Sequence, residues 1–146
     1  MASSDYSRLF TVDEAISLLP SLCPLMKRLF HNLDSLKKQS ETVVHDRNLS
    51  PDTPDFMRRL QENEPIAHLI QEVKTLVGKI NGYGCVCKGV EQGLVDFPCL
   101  LGGEIVFLCW RYGEETIGYW HRIEDGFAGR RPLLDPDNGS GNISYH

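Results

Sequence analysis

The chain of 146 residues is 41% hydrophobic and 24% charged, and its formal net charge is −5. These values are typical of one soluble globular domain. Because nucleic acids and anionic membranes are bound through clusters of Lys and Arg, we expect neither as a partner of this acidic chain.

The first residues, Met1–Arg8, have neither the basic segment nor the apolar segment of a secretory signal. No apolar run reaches the roughly 20 residues that cross a bilayer. Five cysteines, an odd number, favour reduced thiols. We therefore expect an intracellular, cytoplasmic protein.

A long amphipathic helix is predicted to begin near Thr11. Thr11 and Glu14 have the spacing of a capping box, in which each side chain satisfies the backbone amide of the other residue. Apolar residues then recur three and four apart as far as Leu36. Since Pro20 and Pro24 each remove a backbone donor, we expect a break or kink near them.

A second helix is predicted after the turn-rich loop at 46–54. Thr53 and Pro54 are typical of an N-cap and a first helical residue, and an apolar stripe follows from Ile66 to Ile80. The two stripes predict a long antiparallel helical hairpin over 11–81. Each stripe is wider than a single seam, so we expect self-association through the helices into a homo-oligomer.

From Cys85 the apolar pattern alternates, as in strands. Glycine-containing turns at Glu91–Gly93 and Gly102-Gly103 separate these runs. We predict an α+β fold in which the hairpin packs on an antiparallel sheet of about four strands over 85–123. A Gly/Arg loop at 124–134 completes a single domain over 1–134, and 135–146 is predicted to be a flexible polar tail.

The turn lengths predict the strand register. A three-residue turn places Lys88 opposite Asp96, and the two-residue turn places Asp96 opposite Cys109. These residues and Arg111 share one face, and an apolar face is predicted to meet the helices. The last hairpin is left open: an odd loop adds Tyr119 and His121 to the Asp96 face, whereas an even loop adds Trp120.

Asp96 and His121 are the candidate catalytic residues. A carboxylate between Val95 and Phe97 must face solvent or be paired. The simpler interpretation is an ion pair with Lys88, worth roughly 0.2–1 kcal/mol. The alternative is that Asp96 orients His121, or binds a ligand directly, while His121 acts as base, acid or metal ligand.

Lys88, Arg111 and Arg130 are the candidate ligand-binding residues. A glycine-flanked loop and guanidinium groups suit a small anionic ligand. The alternative is that the arginines form ion pairs with the acidic residues nearby, namely Glu114, Glu115, Glu124 and Asp125.

The cysteines do not predict a metal site. Cys85 and Cys87 are one residue apart on a strand and lack the spacing of zinc knuckles, and buried cysteines commonly serve as small hydrophobic residues. Cys109 with His121 remains an alternative metal pair or nucleophile pair. The sequence identifies no cofactor.

Several motifs resemble one family. They are Gly93-Leu-Val-Asp-Phe-Pro98, Cys109-Trp-Arg, Ile117-Gly-Tyr-Trp-His121 and Gly126-Phe-Ala-Gly-Arg130, with Phe10-Thr-Val-Asp-Glu-Ala15 near the start. Over about residues 10–134 the chain resembles the uncharacterised domain-of-unknown-function family 2203. The resemblance implies a small single-domain protein. That family has no established activity, so it implies no site residues.

Two hypotheses for the function follow. The first is a homo-oligomeric structural or interaction module that uses the helical hairpin. The alternative is a small anionic-ligand-binding or hydrolase-like site on the open sheet face, formed by Asp96, Arg111, His121 and Arg130. The fold does not choose between them, so whether the chain is an enzyme stays open.

Overall fold

The computed structural model describes Tyr6 and residues 8–133. It confirms the α+β class, with five strands in the described part rather than about four. The predicted tail at 135–146 lies outside the described residues. The helices and strands, in chain order, are α1 Val12–Arg47, α2 Phe56–Gln61, α3 Glu64–Asn81, β1 Val86–Gly89, β2 Leu94–Leu101, β3 Glu104–Arg111, β4 Tyr119–Arg122 and β5 Arg131–Pro132.

Two compact units make up the chain. Residues Leu25–Lys79 form the helical unit, and the described residues up to Pro24 and from Ile80 to Leu133 form the sheet unit. None of the helices in the described part of the chain combines the length and the apolar character needed to cross a membrane.

The capping box at the start of α1 is confirmed. The Thr11 amide donates to Glu14 Oε1 over 2.8 Å, and the Glu14 amide donates to the Thr11 hydroxyl over 3.1 Å. α1 then continues through Pro20 and Pro24, so the predicted break is wrong, while the kink stays a prediction. The fixed φ of proline is compatible with a helix, and because each ring removes only its own donor, neighbouring hydrogen bonds keep the helix continuous.

Within the helical unit, α1 and α3 run antiparallel, as predicted. Asn32 Nδ2 donates to Glu72 Oε2 over 3.0 Å, whereas Arg47 at the end of α1 lies 3.9 Å from Glu62, just before α3. Buried apolar side chains join the loop end of the hairpin, namely Val43, Leu49, Leu60 and Ile66.

The single second helix predicted from the sequence is two helices. α2 begins at Phe56, so the N-cap predicted at Thr53 is wrong. The cap of α3 is Asn63, whose Oδ1 accepts a hydrogen bond from the Ile66 amide over 3.2 Å. Pro65 is the second residue of α3, where a missing amide donor costs no helical hydrogen bond.

The sheet is antiparallel and its strands follow chain order. The predicted β2–β3 register is confirmed, because Leu101 lies opposite Glu104 and Asp96 opposite Cys109. The turn between them uses φ values of +57° at Gly102 and +81° at Gly103, which favour glycine. On the other face of the sheet every central side chain is buried: Val95, Phe97, Val106, Leu108 and Trp110.

The predicted β1–β2 register is wrong. Val86, not Lys88, lies opposite Asp96, and Gly89 lies opposite Leu94. Two features cause the difference: the turn extends over Val90–Gly93, and the strand is irregular between Cys87 and Gly89, at Lys88. A bulge of this kind redirects the side chain of the extra residue.

The last hairpin follows the odd-loop alternative. Cys109 lies opposite Tyr119 and Phe107 lies opposite His121, so all four side chains share the Asp96 face. That face is not open as predicted, because Asp96 is only 4% exposed. Part of the predicted Gly/Arg loop is β5, which pairs with β4, and a 3-10 turn spans Phe127–Gly129.

Candidate functional site

Three buried polar side chains meet on the Asp96 face, one from each of β2, β3 and β4. Asp96, Cys109 and His121 are 4%, 1% and 3% exposed. His121 Nε2 lies 3.2 Å from Asp96 Oδ2, and the donor atoms of all three residues lie within 4.8 Å of one another. We call this group the Asp96–Cys109–His121 cluster.

The orientation of the His121 ring fixes where its protons are. His121 Nδ1 lies 2.8 Å from the carbonyl oxygen of Arg122. A carbonyl oxygen only accepts hydrogen bonds, so Nδ1 carries a proton. In the neutral ring, Nε2 then presents a lone pair towards Asp96. A hydrogen bond between Nε2 and Asp96 Oδ2 therefore requires one further proton on one of the two groups.

Burial dominates the acid–base properties of the cluster. It raises the pKa of Asp96, although His121 and Lys88 act in the opposite direction. Burial, reinforced by the charge of Asp96, raises the pKa of Cys109 to about 12. At neutral pH Cys109 is therefore a protonated thiol, which is a poor nucleophile. The predicted Cys109–His121 nucleophile pair requires an exposed thiol, whereas Cys109 is buried.

A cavity of about 110 Å³ adjoins the cluster. Apart from the cluster its walls are apolar, with the exception of Lys88. Lys88 Nζ lies 5.0 Å from the centroid of the Phe107 ring. The remaining lining residues are Leu94, Phe107, Ile123, Gly126 and Phe127. The structure therefore gives the cluster a small, mostly apolar space and one nearby cation.

The sequence model of a family described as an uncharacterized conserved protein, DUF2203, matches residues 8–133. The chain belongs to the DUF2203 family. This confirms the resemblance seen in the sequence motifs. No curated protein and no solved structure matches the chain. All three residues of the Asp96–Cys109–His121 cluster lie inside the matched range.

The candidate arginines of this DUF2203 domain lie outside the cavity wall. Arg130 donates to both carboxylate oxygens of Glu114, over 2.8 Å and 3.0 Å, and to the carbonyl oxygen of Cys109 over 3.3 Å. Its guanidinium also lies 4.0 Å from the Tyr119 ring centroid. Arg111 is exposed. The structure thus brings Lys88, but not the arginines, to the cavity, and the ion-pair alternative holds for Arg130.

Cys85 and Cys99 behave as packing residues. Cys85 Sγ donates to the Ile80 carbonyl over 3.2 Å, and Cys99 Sγ donates to the Leu100 carbonyl over 3.7 Å. Burial raises the pKa of each thiol to about 11. Among the described residues, the Asp96–Cys109–His121 cluster is the one group of at least three His, Cys, Asp or Glu side chains arranged to hold a metal ion.

Sequence reasoning missed the walls of the cavity. The sequence predicted Phe107 and Ile123 to be strand residues with no special role, and Phe127 to be part of a loop. One signal was available: Gly126 has a φ of +67°, a left-handed conformation that favours glycine. A glycine at that point indicates a sharp change of direction, which brings Phe127 back over the sheet.

Proposed function

We propose that this DUF2203 domain binds a divalent transition metal ion of the zinc class through Asp96, Cys109 and His121. The orientation of His121 carries the proposal. Histidines that bind metals donate their second ring N–H to a carbonyl or a carboxylate, as His121 does to Arg122. Carboxylate, thiolate and imidazole are all zinc ligands.

The charge balance of the cluster supports the same ion. A carboxylate and a thiolate buried together cost free energy unless a positive charge compensates them. The raised pKa values of Asp96 and Cys109 reflect incomplete compensation in the protein alone. A divalent cation would neutralise both groups, which also explains why a thiol lies beside a buried Asp–His pair.

A zinc titration tests the proposal. In competition with a chromophoric chelator, the wild-type chain is expected to bind one zinc ion. Cys109→Ala is expected to weaken binding at least about 100-fold, since even the loss of a residue that only supports a ligand costs 10–100-fold. Cys99→Ala is the matched control, because Cys99 is equally buried and lies on the other face.

Two outcomes of the titration would contradict the proposal. One is a wild-type chain that leaves all the zinc with the chelator. The other is an equal loss of affinity in Cys109→Ala and Cys99→Ala, which would mean that packing rather than coordination controls the binding.

We also propose that the helical unit mediates self-association. Several positions of its apolar stripes are only half-buried in the single chain, namely Leu25, Leu33, Leu36, Leu69 and Val73. Burying them against a second copy would stabilise a homo-oligomer. Light scattering at tens of micromolar is expected to give a mass well above the 16.5 kDa of one chain. A mass equal to one chain throughout would contradict this proposal.

A further inference from the structure

The ligand set of the proposed centre is incomplete for zinc. Zinc sites are tetrahedral: structural sites use four protein ligands, and sites that bind an exchangeable group use three. Within the described part of the chain, the cluster has three members and no fourth His, Cys, Asp or Glu joins them. One coordination position is therefore left for a group from outside the protein.

The cavity beside the cluster gives room for that group. Its volume is about 110 Å³, which is enough for water or for a small anion. Leu94, Ile123 and Phe127 are apolar parts of the wall, and they offer no hydrogen bonds to a larger polar ligand.

Lys88 determines the charge that the cavity favours. It is the one cationic side chain on the described part of the wall. The charges of a divalent ion, the Asp96 carboxylate and the Cys109 thiolate cancel, so Lys88 leaves one positive charge. Apolar walls strengthen the attraction between this charge and an anion, because they lower the local dielectric constant.

The irregular β1 strand supports a role for Lys88 in binding. Regular pairing breaks between Cys87 and Gly89, and Lys88 lies between them. Strand bulges are frequent next to binding sites, where they redirect a side chain. Lys88 is two residues from Val86, which lies opposite Asp96, so strand alternation places Lys88 on the Asp96 face. Its Nζ lies 5.0 Å from the centroid of the Phe107 ring. Arg130 is not among the residues of the cavity wall, and its Nη2 donates to Glu114.

We infer that the open position of the metal centre takes a small monoanion, the size of azide, formate or acetate, and that Lys88 holds this anion. The inference rests on the proposed metal binding and names the class of ligand that the site accepts. It also places the predicted anionic ligand in the cavity beside Lys88, and not beside Arg111 or Arg130.

Cobalt in place of zinc makes the inference measurable, because the visible absorption of Co(II) reports its coordination. Adding azide or acetate to the cobalt-loaded chain is expected to change the spectrum in a saturable way. Lys88→Gln is expected to lower the affinity for azide on the order of 10-fold, measured with both chains saturated with cobalt. Lys79→Gln, an exposed lysine of α3, is the control and should match the wild type.

The outcomes separate this inference from the proposed function. Cobalt that binds with thiolate-to-metal absorption but does not respond to azide or acetate would overturn the inference and keep metal binding. An azide affinity that is equal in Lys88→Gln and in the wild type would overturn the role of Lys88. Failure of the wild-type chain to bind cobalt would overturn both proposals.

Discussion

Replacing His121 by alanine is expected to lower the free energy of unfolding of the metal-free protein by about 3–5 kcal/mol. The change removes the partner of Asp96, whose side chain is 4% exposed, and so leaves a buried carboxylate without compensation. Breaking a buried pair by removing one member costs this much because the remaining charge is unpaired. Urea unfolding at neutral pH measures the difference.

Two further measurements show whether charge is the cause. Asp96→Asn combined with His121→Ala is expected to recover part of the loss, since the amide is neutral.

The pH dependence of this loss of stability has a definite sign. Burial raises the pKa of Asp96 in the folded state, so stability is highest below the unfolded pKa and is lost as pH rises through the folded pKa. The His121→Ala deficit is therefore expected to be largest above the folded-state pKa of Asp96, and to shrink as the pH falls towards the unfolded-state pKa. A deficit below about 1 kcal/mol at neutral pH would contradict the buried pair.

Zinc binding is expected to release about two protons and to strengthen 10- to 100-fold per pH unit near neutrality. One proton comes from Cys109, which is protonated because burial raises its pKa to about 12. The other is the proton that a hydrogen bond between His121 Nε2 and Asp96 Oδ2 requires, since the two atoms lie 3.2 Å apart. Both must leave before the donor atoms can bind the ion, so affinity rises with pH.

Calorimetry in buffers of different ionisation enthalpy counts these protons. The Cys109→Ala chain is expected to release about one proton fewer than the wild type. A zinc affinity that does not change with pH, or equal proton release by the two chains, would show that the thiol is not a ligand.

The parts of the fold that local chemistry determines were predictable from the sequence. Thr11 and Glu14 define the start of α1, since their spacing satisfies two amides. The Gly102-Gly103 turn defines the β2–β3 register, and with it the placement of Asp96 opposite Cys109. Both predictions depend on residues close together in the chain, where side-chain chemistry limits the conformations available.

The parts that depend on distant or irregular pairing were not predictable. The bulge at Lys88 has no signature in the amino-acid composition, so the register predicted for β1 and β2 was wrong. β5 consists of Arg131 and Pro132. These two residues have no local strand pattern, so the sequence predicts a loop, and they form a strand because they pair with β4. The place of His121 depended on the parity of one loop, which the sequence left open. The proximity of Asp96, Cys109 and His121 therefore depends on the pairing of β2, β3 and β4, which the structure provides.

Zinc X-ray absorption spectroscopy of the loaded chain tests the central claim most directly, because it identifies the atoms bound to the metal. We expect one sulfur at about 2.3 Å, from Cys109, and nitrogen or oxygen ligands at about 2.0–2.2 Å, from His121, Asp96 and one exogenous group. The sulfur signal is expected to disappear in Cys109→Ala and to persist in Cys99→Ala. A spectrum without sulfur in the wild type, or with several sulfurs from the other cysteines, would contradict the Asp96–Cys109–His121 centre.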